Sequence, residues 1–516
     1  MKDFIKKKKN LFLLLLTVLS FSLLYKIIGI ENSTLYSYSF SIYLIILLFN
    51  ALALTNSISK ETRNYQTLGH YNIKKKAYLL YYKFFFLISI PFIIGIYFLT
   101  PILINLSFPK QISYHTAKEI SNTIRMTSII LWIQPFLNIM RGYFKGHHLE
   151  EIVSNSYRIE LLSSIILSTI NSFLCTKLHH IPSKIWILVI LCSYLLGSIL
   201  SYTYLFFQKK KNRLKFEERP RKVNEPIITN KEILKRLGVN LIPYLIVLFL
   251  AILFIGIDFY TILKKLILYE DYSLKDAEMI YSIYMTWDFI INGLLVLSFF
   301  KIRKRIKNEK DSSKKEEKAL FFQNLLLTPL SILLPITILI SFLSKPIWQL
   351  LYDNSIFGYN ILTYYIFNSL FWCIYLSIIS FIEREKDKKT IRISLGIIAF
   401  LKVILSNNLL KATYQMGLST YYAITTSTII SLFASIVFCL IIIHQKYKIS
   451  FERIIKEGID IVCASISIVV VLFLLKIVLP LEGAGIKNVL ILLLYTGIAF
   501  ITYLLYFIIM KRSKKV

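Results

Sequence analysis

Apolar windows of about 20 residues alternate with short polar stretches along the whole chain. They fall at 10–30, 35–56, 79–106, 122–144, 152–176, 184–207, 237–262, 279–300, 320–344, 358–382, 393–411, 419–443, 458–479 and 487–510. At 1.5 Å per residue, about 20 residues span the roughly 30 Å hydrocarbon layer of a bilayer. Each window therefore predicts a transmembrane helix, and the fold class is an all-α membrane protein of about fourteen crossings. The polar stretches alternate in charge. Basic ones are Lys6–Lys9, Lys60 to Lys76, the segment starting Lys209-Lys210-Lys211, Lys301–Lys318, Arg384–Lys389, Lys446–Lys456 and Lys511–Lys515. Roughly 44 Lys and Arg lie on this face and about ten on the other. Lys and Arg beside a span resist translocation, so the basic face is cytoplasmic, with both termini on it. The opposite connections, such as Glu31–Thr34 and Leu481–Ile486, are short and nearly neutral.

A repeat runs through the pattern. The third span reads Pro91, six residues, then Phe98-Leu99-Thr100-Pro101-Ile102, and the ninth reads Pro335, six residues, then Phe342-Leu343-Ser344-Lys345-Pro346-Ile347. First and seventh spans begin on the same side, so the halves form a parallel repeat whose axis runs along the membrane normal. The expected organisation is a six-helix lobe at 1–207, a basic cytoplasmic linker at 208–236, a second six-helix lobe at 237–443, and an extra helix pair with a basic tail at 444–516. Two like halves that rock about a central cavity are a transporter's architecture.

Composition agrees with lipid as the solvent. Of the 516 residues, 56% are hydrophobic and 17% charged, against about 25% charged in a typical soluble protein. A net charge of +32 raises the question of nucleic acid, but the basic residues sit in loops between spans and build no groove. The five cysteines lie inside apolar segments without pairing spacing and read as core residues. The Lys-rich start precedes a run long enough to span with no small-residue cleavage site, so it reads as a first helix rather than a signal peptide. Abundant Tyr, Phe, Lys and Asn with scarce Ala and Gly point to an AT-rich bacterial genome.

Charges within spans are costly and mark cavities. The candidates are Lys26, Lys83, Arg125, Arg141, Arg158, Glu160, Asp258, Asp288 and Lys402. Lys83, Arg125, Arg141 and Arg158 stand near span ends, from which a long side chain snorkels to the headgroups. Arg158 and Glu160, two apart on one helix, do not face each other, so Glu160 needs a partner on another helix. Pro91, Pro135, Pro243, Pro329 and Pro335 fall within the predicted helices and allow bends. His147-His148 with Glu150-Glu151 is the one His and carboxylate cluster, and adjacent His on a helix do not converge on a metal. No Walker, GxSxG or HExxH motif occurs, so the sequence predicts no enzyme, no cofactor and no metal site.

Several stretches resemble a known family. Gly29 to Phe40, continuing to Ile58-Ser59-Lys60, resembles the first helical pair of polysaccharide-biosynthesis flippases. These form the stage V sporulation protein B and lipid II flippase branch of the multidrug/oligosaccharidyl-lipid/polysaccharide (MOP) exporter superfamily. Gln134-Pro135-Phe136 with Arg141-Gly142-Tyr143-Phe144-Lys145-Gly146 is similar to that family's fourth-helix signature, with Lys145 where Gln is usual. Lys402-Val403-Ile404-Leu405-Ser406-Asn407 with Gly417 is similar to its eleventh-helix stretch. The resemblance implies a two-lobed flippase in the bacterial cytoplasmic membrane that moves undecaprenyl-diphosphate-linked sugars by alternating access without ATP. Two family arginines, one in the first helix and one in the eighth, are replaced by Phe21 and Met285, and Ala53 and Thr55 stand where a Gly-x-Pro is usual. A diphosphate needs cations in a low-dielectric cavity. The candidate substrate contacts are therefore Lys26, Arg125, Arg141 and Lys402, and the candidates for coupling to H+ or Na+ are Glu160, Asp258 and Asp288. Two other readings stay open: a cation-coupled exporter of drugs or amphiphiles, and a non-transporting scaffold that binds envelope-synthesis proteins.

Overall fold

The computed structural model describes residues 19–29, 33–41, 43, 47, 49–107, 114–130, 132–177, 183–212, 225–270, 272–287, 291–293, 295, 315–480 and 486–513. Every regular element among them is helical. The longer helices are α1 (Leu19–Gly29), α2 (Thr55–Thr67), α3 (Tyr71–Ser107), α4 (Tyr114–Ile130), α5 (Gln134–Gly146), α6 (Glu150–Lys177), α7 (Ser183–Lys211) and α8 (Asn230–Tyr260). They continue with α9 (Lys315–Phe342), α10 (Ile356–Arg384), α11 (Lys388–Gln415), α12 (Tyr422–Tyr447), α13 (Glu452–Val478) and α14 (Ile486–Ser513). Among the described residues nine of these, α3, α6, α7 and α9 to α14, are long and apolar enough to cross a bilayer. The protein is an all-helical, multi-pass membrane protein.

The helix ends depart from the apolar windows for identifiable reasons. The window 122–144 is not one helix: α4 ends at Ile130, and α5 starts at Gln134 with Pro135 in its first turn. Proline lacks an N–H and turns the residue before it away from the helical region, so it opens a helix more readily than it continues one. Pro135 is thus a starter and not the mid-helix bend expected of it. At α3 the helix runs 37 residues, starting eight residues before its window. The basic stretch Lys74–Lys76 belongs to it because Ile73, Ala77, Tyr78, Tyr81 and Phe85 form a buried stripe at helical spacing. The two Pro-x6-Phe-Leu patterns end differently: α3 continues through Pro101, whereas α9 stops at Phe342 and a short helix, Ser344–Leu351, follows.

The chain divides into two compact units, Leu19–Lys264 and Lys265–Val516. In the first, α8 packs with the early helices. Ile233 and Leu237 join a buried cluster with Leu54, Ile58, Tyr65, Ile73, Tyr78, Tyr81 and Tyr143. A capping box, in which Thr229 and Glu232 satisfy each other's backbone N–H groups, starts α8 seven residues before its apolar window. Ser57 Oγ donates to the Asn240 carbonyl at 3.1 Å, and Asn240 Nδ2 donates to the buried Glu61 carboxylate.

Lipid removes the hydrophobic drive between spans, so close approach of backbones must supply the packing. Gly142 and Gly146, one turn apart on α5, lie against α2. A Cβ at Gly142 would stand 2.8 Å from Ile58 Cβ, and one at Gly146 would stand 2.5 Å from Thr62 Cβ. Gly146→Val is therefore expected to force α2 and α5 apart, at a cost of about 1–3 kcal/mol. A denaturation midpoint equal to the parent's in detergent would refute that close fit. The α6 and α7 pair uses the same device, with Ser156, Ser164, Ser168 and Ser172 on one side and Ser193, Gly197, Ser198 and Ser201 on the other.

In the second unit α9 packs on α10 and α13, α10 on α12, and α11 on α12. Helices α13 and α14 are fixed to α9 and the residue that follows it by a cluster of Leu343, Ile468, Leu472, Tyr495 and Ala499, and by Tyr503 Oη donating to the Ser331 carbonyl at 2.7 Å. On the basic-loop face Asp387 caps α11 by accepting from the Thr390 N–H, and it also accepts from Lys446 Nζ at 2.6 Å. The Lys446 hydrogen bond, opposed by partial burial and helped by the two bonds from Thr390, holds the Asp387 carboxyl below the usual carboxylate range. A depressed pKa stabilises the fold above the unfolded-state value and loses that effect as pH falls through the folded-state value. Asp387→Ala should cost about 1 kcal/mol at neutral pH, an ordinary cap contribution. The difference should shrink below about pH 4, as thermal denaturation of both proteins across pH would record.

Candidate functional site

The first unit holds a buried polar network built by three helices. On α5, Gln134, Asn138 and Arg141 recur at four and three residues and share one face. Ser156 and Glu160 do so on α6, as do Tyr194, Ser198 and Ser201 on α7. Arg141 is 1% exposed and Glu160 7%. Arg141 Nη2 donates to Glu160 Oε2 at 2.7 Å and to Ser201 Oγ at 3.0 Å, while its Nε donates to Ser156 Oγ at 2.9 Å. The guanidinium carbon stands 3.8 Å from the centre of the Tyr157 ring. The other carboxylate oxygen of Glu160 accepts from Gln134 Nε2 at 2.7 Å and Ser198 Oγ at 2.9 Å. Asn138 links the network to α2 by accepting from Thr55 Oγ1 at 3.2 Å.

The partner that Glu160 required on another helix is thus Arg141. Arg141 does not snorkel, as its place in the apolar window led us to expect; four hydrogen bonds and an aromatic face hold it in the interior. Each ion's bonding capacity is largely used within its own unit, which is how a buried pair offsets the cost of leaving water. The network extends toward the 33–41 helix through Tyr194, whose hydroxyl lies 2.7 Å from that of Tyr36 and whose ring packs on Tyr43.

Arg125 is half-buried against α3, with its guanidinium 4.1 Å from the Tyr97 ring centre and Nε donating to the Tyr97 carbonyl at 3.3 Å. Lys26 is exposed on α1, and Asp258 is half-buried on α8. Asp288 lies outside the described residues. In the second unit Lys402 is fully buried on α11. Its ammonium donates to three oxygens of α12: Thr428 Oγ1 at 2.8 Å, Ser427 Oγ at 3.1 Å and the Ile424 carbonyl at 3.3 Å. Of the arginine replacements, Phe21 and Met285 are both buried, Met285 within a π-helical turn, Ile283–Trp287.

Sequence reasoning missed the amides and hydroxyls that complete the network, Gln134, Asn138, Ser156, Ser198 and Ser201. The polar stripes at helical spacing inside apolar windows carried that signal. It also missed Glu61, only 4% exposed, beside clefts of about 260 Å3 and 340 Å3 that Arg236 also lines. Burial lifts its carboxyl above the usual range, against the pull of Tyr65, Arg236, Asn240 and Lys60.

Comparison with known proteins places this architecture. No family model matches the chain. The lipid II flippase MurJ of Bacillus subtilis (strain 168) is 21% identical over 439 residues, which are 83% of this chain and 79% of that protein. A structure of lipid II flippase MurJ in an inward closed conformation superposes with a TM-score of 0.71 at 17% identity, covering 99% of this chain and all of that one. The chain shares the fold of that structure. An inward-facing multidrug resistance MATE family transporter of the MOP superfamily is a more distant likeness, with a TM-score of 0.59 at 11% identity, over 85% of this chain and 96% of its own. Within this fold, the Arg141 to Gly146 stretch that carried the family resemblance has two structural jobs. Arg141 closes the buried network, and the two glycines let α5 approach α2.

Proposed function

We propose that the chain moves an undecaprenyl-diphosphate-linked sugar, a peptidoglycan precursor or polysaccharide repeat unit, across the bacterial cytoplasmic membrane by alternating access. The observation that carries this reading is the end-to-end likeness to MurJ, which leaves almost no part of either chain unmatched. In this reading the chain crosses fourteen times with both termini in the cytoplasm, its two six-helix halves rock about a central cavity, and it is a transporter rather than an enzyme. Lys26 contacts the diphosphate, because it is a cation within a span that the first unit does not enclose. Lys402 supplies a second positive charge in the other half. Asp258 and Asp288 are the candidate carboxylates for H+ or Na+ coupling, and Glu160 instead pairs with Arg141.

The likeness to a MATE family transporter supports a second reading, a cation-coupled exporter of amphiphiles. Depletion separates the two. The flippase reading predicts that a lipid-linked diphosphate sugar accumulates on the cytoplasmic leaflet. Unchanged lipid-linked pools, together with raised sensitivity to cationic amphiphiles, would favour the exporter.

A further inference from the structure

On the basic-loop side of the first unit, a cleft of about 300 Å3 opens between the end of α2, the start of α3 and the turn that joins α5 to α6. Arg63, Gln66, Thr67, Tyr71 and His148 line it, and none of these is acidic. Behind Tyr71 lies Lys74, 3% exposed, with its ammonium 4.8 Å from the centre of the Tyr71 ring. Beside His148 lies His147, 8% exposed; burial, then the positive charge of Lys74 and of His148, pushes its imidazole down to about 3. Arg63 and His148 thus line the opening from two elements, and Lys74 lies behind Tyr71.

Two further features fit an anion rather than an ordinary solvated surface. The lining supplies several kinds of donor that bind phosphate oxygens: a guanidinium fork, a side-chain amide, a phenolic hydroxyl and an imidazole. His148 has φ +60°, a left-handed backbone that costs a non-glycine residue about 1 kcal/mol or more. A histidine there forgoes the stability that glycine would give. The N-terminus of α3 is not the binding group, because Glu225 already accepts from the N–H groups of Asn72 and Ile73 at 3.0 and 3.1 Å.

We propose that this cleft is a binding site for a phosphate group, with Arg63 as its charged contact, the His148 imidazole and the Tyr71 hydroxyl as donors, and Lys74 raising the potential from behind. Two sources share that chemistry, a phospholipid headgroup and a free phosphate. The site does not depend on the flippase reading, and its test measures binding and not transport.

The full-length protein is placed in phosphatidylcholine nanodiscs and titrated with radiolabelled inorganic phosphate. In parallel it is extracted from vesicles of mixed phosphatidylcholine and phosphatidylglycerol, and the retained phospholipid is weighed by native mass spectrometry. The comparison protein carries R63A and H148G; both residues are exposed, and glycine suits the backbone at 148, so the pair should fold as well as the parent. Saturable phosphate binding that weakens at least tenfold in the double variant supports the site and identifies a free anion. Selective retention of phosphatidylglycerol that the double variant loses supports it and identifies a headgroup. Equal behaviour of the two proteins in both arms, or no binding in either arm, overturns the proposal. Y71F, which leaves every charge in place, should weaken binding by a smaller factor.

Discussion

Arg141→Ala is expected to destabilise the protein by about 3–5 kcal/mol, the cost of leaving one member of a buried ion pair without the other. Glu160 would keep Gln134 and Ser198 but lose its cation, and Ser156, Ser201 and Asn138 would face the space the guanidinium filled. Glu160→Gln should cost less, because Arg141 retains three neutral acceptors and the Tyr157 ring. A double replacement, Arg141→Met with Glu160→Leu, should recover much of the stability of Arg141→Ala, since an apolar pair leaves no charge behind. Thermal denaturation in detergent orders the four proteins. If Arg141→Ala melts with the parent, the network is not what holds α5, α6 and α7 together.

Lys402→Met is the second large effect. Its three charge-assisted bonds to α12 hold α11 and α12 together, and losing them should cost about 1.5–3 kcal/mol, within the range for hydrogen bonds to charged groups. Lys402→Arg should not substitute, because a planar guanidinium does not fit the pocket that three α12 oxygens form around a compact ammonium. Thr428→Val, which removes the shortest of the bonds, should reproduce part of the stability loss. The functional claim is separable: transport by Lys402→Met should fall more than tenfold even at temperatures where the protein stays folded. Transport that declines only in step with the folded fraction would make Lys402 a packing residue.

Much of the architecture was legible because lipid imposes it. Apolar length located the long helices, and α6, α7 and α10 to α14 coincide closely with their windows. The ends were less legible. The Lys74–Lys76 stretch reads as a loop until the buried stripe from Ile73 to Phe85 is noticed, and the Thr229-x-x-Glu232 box that starts α8 lies outside the apolar window by which the helix was located. Pro135 was read as a bend because one long window surrounded it.

The site was legible as a cost and not as a contact. Sequence marked Glu160 as a charge that needs a partner and read Arg141 as snorkelling; their pairing across α5 and α6 depends on how helices cross, which no local pattern encodes. Spacing did carry the face on which Gln134, Asn138 and Arg141 sit. It could not tell a span's cavity face from its packing face, so a pair held inside one unit and cations such as Lys26 stood together as candidates.

The central claim is that this chain carries a diphosphate-linked lipid between leaflets, and reconstitution tests it most directly. Purified protein in liposomes, supplied with a fluorescent undecaprenyl-diphosphate-linked sugar in one leaflet, should bring that lipid within reach of a membrane-impermeant quencher on the opposite side without added ATP. Lys26→Ala should slow the process about tenfold or more, the loss of roughly one charge-assisted contact. Leaflet distributions identical to those of protein-free liposomes, under every imposed ion gradient, would contradict the account.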